Sequence, residues 1–496
     1  MHHFTLLDAV VLVAYIVGIT AFGTWFGRRQ KGVHEYFLAG RAIPWWAICF
    51  SVVATETSAL TFISIPATAY SSDFWILQLA IGYLFGRIGV AAVLLPGYFR
   101  GELSTAYALL DQRFGSATRR FTSSIFMVTR ALADSVRVFA AAIPLALITG
   151  WPYWETILII GLFTLVYTYF GGLRAVVWVD VVQFVLYLVG GVAALFILVR
   201  LVPGGWAGIL AVAGHAGKLK VFHPGGGFAS ASWLLTGLVG GAFLSMASHG
   251  VDHLIVQRLL AAPSLGDARK AVVTSALLVI GQFALFLFVG AGLFVFYHGR
   301  TFDPVDEVFP TFIVNQLPSG LSGLIVAAIL AAAMSTVAGS LNSLASATTH
   351  DLYAPLARRV GDEKHLLRAG RAFTLLWAAI LISGAILFQA VAAGTPIVVI
   401  ALQIASFTYG GLLGGFLLGT LFRSPDQRDA ITGIAVTIVL MTGLWAVQEF
   451  GVIPKRVDTL WFALIGSAIT VAVGLLSHAA HGRRTAATAR NDHGVG

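Results

Sequence analysis

Of the 496 residues, 58% are hydrophobic and only 11% are charged, well under the roughly 25% charge of a soluble domain. A mean hydropathy of +0.87 over the whole length leaves more apolar surface than one water-facing core hides, which excludes a soluble globular class. The single cysteine, Cys49, excludes a disulfide framework and a cysteine-built metal centre; within an apolar run it reads as a small buried hydrophobe.

In chain order, thirteen apolar runs are long enough for a bilayer, which needs about 20 residues each. They are 5–27, 45–69, 75–98, 120–149, 152–170, 176–200, 231–258, 271–298, 319–349, 370–390, 396–421, 429–449 and 457–478. Open strands cannot satisfy their backbone in lipid, and the runs lack the alternation of barrel strands, so they read as helices. The first run has no small-residue cleavage site before Arg28-Arg29-Gln30-Lys31 and reads as a retained span rather than a signal peptide. The fold class is therefore an all-α polytopic membrane protein of about 13 transmembrane helices.

Loops assigned to alternate sides divide the basic residues unevenly. The side that receives Arg28, Arg29, Lys31 and Arg41 collects 22 Lys and Arg, against six on the other: Arg200, Lys218, Lys220, Arg300, Lys455 and Arg456. The positive-inside rule makes the richer side cytoplasmic. The N-terminus is then expected outside and the C-terminus inside, in a bacterial inner membrane. The basic pI near 9.8 reflects topology, and no nucleic-acid partner is expected.

The remaining charges fall inside spans: Arg87, Arg130 and Arg137, with Glu56, Asp134, Asp180 and Asp252 as acids. Each is costly in hydrocarbon and must face protein, water or a partner. The longest stretches outside the spans, 99–119, 201–230 and the tail after His478, are too small for a catalytic domain, and the tail 479–496 is expected to be disordered.

Two helices look interrupted. In 45–69, Ala54-Thr55-Glu56-Thr57-Ser58 is polar at mid-membrane depth; in 231–258, Gly240-Gly241 precedes Ser245, Ser248, His249 and Gly250. Each opens a block of five helices, 45–200 and 231–421, and an odd count gives the two blocks opposite orientation. Matching weak helices in two halves point to inverted repeats with a central binding site, here near 54–61 and 241–249. Close packing through Gly and Ser is the alternative.

Several segments now carry a resemblance: Tyr36 to Arg41 before Pro44-Trp45-Trp46, Ser51 through Tyr70, Gly171 through Gln183, Gly250 through Arg258, and Ala331 through Tyr353 with Met334-Ser335-Thr336 and Ser340-Leu341-Asn342-Ser343. In this order and spacing the chain resembles the sodium/solute symporter family, and 45–70 looks most like its bacterial sialic-acid-transporter branch. The resemblance implies a LeuT-type five-plus-five core with one helix before it (5–27) and two after (429–478), all in one membrane transport domain. It also implies alternating access driven by sodium.

What the resemblance implies for sites follows residue by residue. Sodium, a hard cation that prefers oxygen, would take the backbone carbonyls of Ala54, Thr57 and Ala332 and the hydroxyls of Ser335 and Thr336. The alternative is that both hydroxyls bond back to a carbonyl four residues earlier. Asp180 would keep a favourable potential for the cation along the route to the cytoplasm, or else partner a buried arginine. Some relatives carry a second sodium site on further serines of the 319–349 helix; here that stretch reads Val337-Ala338-Gly339, so one sodium per cycle is expected.

The solute would lie among Glu56, Ser58, Thr61, Gln78, Arg137, Ser245, Ser248, His249 and Gln403. Glu56 departs from the neutral residue expected at its position. It can bind a solute amine or hydroxyl, pair with Arg137 or Arg130, or titrate and couple protons. Arg137 can clamp a carboxylate with its fork or bridge to Asp134 or Glu56. His249 and His253 sit four apart but have no third ligand at useful spacing, which argues against a metal site. Arg258 reads as an anchor near the cytoplasmic end.

A channel would not need two interrupted helices, and an intramembrane enzyme would need a nucleophile–base or metal constellation; no HExxH or GxSxG motif is present. The expectation is a sodium-coupled importer of a sugar, sialic acid, carboxylate or amino acid, with a proton-coupled transporter or channel-like facilitator as the alternative. No organic cofactor and no obligate protein partner are expected.

Overall fold

The computed structural model describes the backbone of residues 5–29, 32–101, 103–391 and 397–492; within these, the side chains of 28, 29, 59, 60, 144, 147, 148, 390, 391, 397–407 and 482–492 lie outside the described set. Among the described residues all regular structure is helical. The first helix, α1 (Leu6–Trp25), starts on a capping box between Thr5 and Asp8. Asp8 Oδ1 also accepts the backbone N–H groups of Gly320 and Gly323 at 2.7 and 2.8 Å, which ties this helix to a central one far along the chain.

Among the described residues, eight helices are long and apolar enough to cross a membrane. Besides α1 they are α4 (Ile76–Tyr98), α6 (Tyr153–Leu201), α9 (Leu265–Phe296), α10 (Leu321–Leu356), α11 (Glu363–Gln389), α13 (Gln427–Glu449) and α14 (Thr459–His481). The 49-residue α6 covers two expected spans, which meet at Gly172 with φ 54° and ψ −156°. That backbone region is open to glycine and closed to side chains with a Cβ. The expected runs at 120–149 and 396–421 are also helical, as α5 (Ser116–Thr149) and α12 (Ile397–Leu421).

Burial separates the core from the periphery. Within α10, 89% of the apolar window is buried, against 28% in α1. The central helix is accordingly dense in Ala, Gly and Ser, the residues that let helix backbones approach closely. On α1, Leu6, Val10, Val13 and Val17 form an exposed apolar stripe at helical spacing, the surface a lipid-facing helix presents.

The expected interruption of 45–69 is present. Helix α2 (Trp45–Glu56) ends at Thr57 (φ −78°, ψ 101°), and α3 (Ala59–Ser71) begins after Ser58 (φ −86°, ψ 166°). The second interruption lies elsewhere than the glycine pair suggested. Thr236–Gly240 forms a wide π-type turn, Gly241–Gly250 is continuous helix (α7), and the chain breaks at Val251 and Asp252 before α8 (His253–Leu260). Gly240 and Gly241 instead permit close packing: a Cβ at either would lie 2.9 Å from a backbone carbonyl oxygen, of Leu460 or Leu79 respectively. The last helix continues to Asp492.

Candidate functional site at the helix breaks

The first break is held open by its own side chains. Ser58 Oγ accepts the Thr61 N–H at 3.3 Å, and the Ser58 N–H donates to Thr61 Oγ1 at 3.4 Å. In an unbroken helix those two N–H groups would cover the carbonyls of Thr57 and Ala54. The capping box diverts both, and so frees the two carbonyls expected to face sodium. Thr57 is fixed from its side chain: its hydroxyl donates to the Val53 carbonyl at 2.8 Å, and Gln282 Nε2 donates to it at 2.9 Å.

Helix α10 lies across this break. Thr336 Oγ1 reaches the carbonyl of Thr55 at 3.5 Å and that of Ala332, four residues earlier, at 3.2 Å. Its neighbour Ser335 does not bond back; it donates to Asp180 Oδ1 at 2.6 Å. Back-bonding therefore describes one hydroxyl of the pair and not the other. Hydroxyl oxygens that donate once retain acceptor capacity, and both Ser335 and Thr336 are buried. The structure thus brings Thr336 to the first break and to the Ala332 carbonyl, with Ser335 adjacent in the chain.

Asp180 is fully buried behind this group. Its Oδ2 accepts from Ser51 at 2.5 Å and from Arg258 Nη2 at 3.1 Å. Arg258 is no membrane-edge anchor: its side chain is fully buried, with Nε on Ser51 Oγ at 2.8 Å and Nη1 on the Leu254 carbonyl at 2.7 Å. A charge taken out of lipid has been matched by an opposite charge and by hydrogen bonds on each guanidinium nitrogen. Asp180 does partner a buried arginine, and it touches the candidate sodium residue Ser335 as well.

Above the break a cavity of about 450 Å³ is lined by Thr55, Glu56, Ser58, Thr61, Arg137, Ser248, His249 and Thr336, among others. That volume suits a small molecule. Two candidates lie off the lining: Gln78 is buried with Nε2 on the Ser232 carbonyl at 2.5 Å, and Ser245 receives Arg87 Nε at 3.4 Å. The side chain of Gln403 lies outside the described residues.

Glu56 pairs with neither Arg130 nor Arg137. Its partner is Arg87, a fully enclosed arginine on α4 that also donates to Ser275 at 2.5 Å. His249 Nε2 stands 3.5 Å from the same Glu56 oxygen, Oε2, while its Nδ1 meets Ser248 Oγ at 2.8 Å. Arg137 does bridge to Asp134, at 3.2 Å, and remains 23% exposed toward the cavity.

Sequence reasoning missed part of the wall. Tyr409 and Arg130 line the cavity and converge on Asp252, the residue that caps α8. Tyr409 donates to Asp252 Oδ2 at 2.6 Å, and Arg130 pairs with the same oxygen. Arg130 and Asp252 were visible as charges inside spans; Tyr409 sits in an apolar helix with no local signal. Tyr83, Thr459 and Leu460 complete a wall drawn from α4 and the last helical hairpin.

The model of the sodium:solute symporter family matches residues 36–456. The sodium/sialic acid symporter NanT of Aliivibrio fischeri is 30% identical, over 96% of this chain and 93% of its own length. The sodium/sialic acid symporter SiaT of Proteus mirabilis is 28% identical, over 96% of each chain. Among solved structures, a substrate-bound, outward-open Na+-coupled sialic acid symporter with a novel Na+ site superposes with a TM-score of 0.85 at 26% identity, covering 96% of this chain and 98% of that one. The closed conformation of Mhp1, a nucleobase-cation-symport-1 family transporter, shares the fold at a TM-score of 0.57 and 13% identity, covering 88% of this chain and 92% of that one. The protein is thus a multi-pass membrane transporter with a LeuT-type core that couples sodium to the movement of a small solute, and the chain belongs to the sodium:solute symporter family.

Proposed function

We propose that the chain imports a carboxylate-bearing sugar acid of the sialic acid class, with one sodium ion per cycle. The observation that carries this reading is the cavity itself: Arg137 lines it, and Thr55 and Thr336 of the break form another part of the same wall. The NanT and SiaT relatives are sodium/sialic acid symporters, and a guanidinium fork is suited to a planar carboxylate.

Sodium sits at the first break, on the carbonyls of Ala54, Thr57 and Ala332 and the hydroxyls of Ser335 and Thr336. The break belongs to the first repeat, 45–200, and α10 to the second, 231–421. An ion held between them ties the two repeats together, so sodium binding favours the arrangement that also closes around solute. Charge balance supports coupling to one cation. Around the cavity, Arg87 pairs with Glu56, Arg130 with Asp252 and Arg137 with Asp134. A solute carboxylate adds a negative charge to a neutral set, and one sodium ion offsets it. Glu56 needs no proton to be neutralised, because Arg87 already offsets its charge.

The N-terminus faces outside and the C-terminus the cytoplasm of a bacterial inner membrane, as the 22-to-6 distribution of basic residues indicates. Asp180 keeps the inner end of the sodium route attractive to the cation. The protein works by transport and not catalysis, without an obligate protein partner.

Uptake into liposomes tests this. A panel of labelled sugars, sialic acids, carboxylates and amino acids is run with and without an inward sodium gradient, beside Ser335→Ala/Thr336→Ala. The expected result is sodium-stimulated uptake of a sugar acid that the double variant loses. Sodium-independent uptake, unchanged in that variant but abolished by Glu56→Gln, would overturn the sodium assignment in favour of proton coupling.

A further inference from the structure

We infer that Glu56 sets solute specificity: its carboxylate accepts a hydrogen bond from a hydroxyl or amine of the solute, at the opposite pole from the carboxylate held by Arg137. The inference rests on the proposed reading of Arg137.

The geometry assigns the two oxygens of Glu56 different tasks. Arg87 and His249 both approach Oε2. Arg87 has no exposed side-chain surface, whereas the Glu56 side chain keeps 20% exposure and lines the cavity. The guanidinium therefore lies behind the carboxylate, and Oε1 is the oxygen presented to the cavity. A carboxylate oxygen only accepts hydrogen bonds, so this wall asks the solute for a donor.

The neighbours strengthen that demand. Ser58 and Thr61 are occupied with each other in the capping box, and Ser248 with His249 and the Ser245 carbonyl. Glu56 is then the charged acceptor near the break, with an oxygen that neither Arg87 nor His249 approaches. Arg87 keeps it in place through three elements, donating to Glu56 on α2, Ser245 on α7 and Ser275 on α9. A charged acceptor fixed this way discriminates strongly against a solute that cannot donate to it. The cavity thus has two poles, Arg137 for an acid group and Glu56 for a polyol or amine edge. A simple fatty acid satisfies the first pole and leaves the second unpaired.

The test measures equilibrium binding to the purified full-length protein in saturating sodium. The probes are N-acetylneuraminic acid, its methyl ester, and its analogues lacking one hydroxyl at a time. In the wild-type protein one deoxy analogue is expected to bind about ten- to a hundredfold more weakly than the parent, the loss for a hydrogen bond to a charged group. In Glu56→Leu/Arg87→Met, which removes both charges together and leaves neither orphaned, that penalty is expected to fall to about twofold or less. A penalty unchanged in the double variant overturns the inference. So does a wild-type deoxy series in which no position costs more than about twofold, a result that needs no variant to fold. The reading of Arg137 fails separately: it is overturned if the methyl ester binds as tightly as the free acid, or if the parent acid does not bind.

Discussion

The two helix breaks solve the same problem in opposite ways. A span that unwinds in a membrane leaves backbone groups without partners, and something must satisfy them. At Asp252 the protein supplies a permanent filling. The side chain caps the following half-helix by accepting the Leu254 N–H at 2.9 Å, and Arg130 and Tyr409 close over the other carboxylate oxygen. At Thr57 and Ser58 no charged side chain caps the second half-helix; the capping box uses neutral hydroxyls and turns the N–H groups away from two carbonyls. The charged break is complete as it stands, while the neutral one has oxygen ligands to spare. A transported ion needs the second kind, because both Asp252 oxygens are already taken by the Leu254 N–H, Arg130 and Tyr409. The charge nearest the neutral break, Glu56, is turned aside by Arg87.

This contrast can be broken by substitution, starting with the largest effect. Asp252→Asn leaves Arg130 with only Asp134 and weakens a buried ion pair; stability in detergent should fall by about 3–5 kcal/mol, read as a drop in thermal unfolding midpoint. Sodium affinity of the folded fraction should change little. A stable Asp252→Asn protein that had lost sodium binding would reverse the roles given to the two breaks. Tyr409→Phe removes one donor to a carboxylate that keeps Arg130, so the expected cost is about 1.5 kcal/mol, with the same readout. Ser58→Ala acts on the other break and removes the cap of α3. The loss is about 1 kcal/mol of stability, read as a small drop in unfolding midpoint, and the sodium dependence of uptake should weaken with it because the cap no longer holds the break open.

What the sequence disclosed follows from the range of the interactions. Runs of apolar residues, and the polar stretch Ala54–Ser58 inside one of them, are local and need no partner to be seen. The second break was placed too early because Gly240-Gly241 has the composition of a break, yet its glycines serve helix contact. The break at Asp252 carries an N-cap, a signal of one residue rather than of a polar stretch. Pairing was the hardest feature to read. Glu56 finds Arg87 rather than Arg130 or Arg137, and Asp180 finds Arg258 across 78 residues. Several acids and arginines inside one membrane can be matched in many ways, and only the helix packing selects among them. Tyr409 was invisible for a related reason: its role depends on a carboxylate 157 residues earlier.

The central claim is that sodium occupies the neutral break. Sodium titration of the purified protein, followed by intrinsic tryptophan fluorescence and checked by bound 22Na+, tests it directly in the wild type and in Ser335→Ala/Thr336→Ala. Two lost ligands at about 1.4 kcal/mol each predict roughly hundredfold weaker sodium binding, beside a drop in sodium-free unfolding midpoint like that of Tyr409→Phe, because Asp180 loses the Ser335 donor. Equal sodium affinity in the two proteins would contradict the account and place the ion elsewhere.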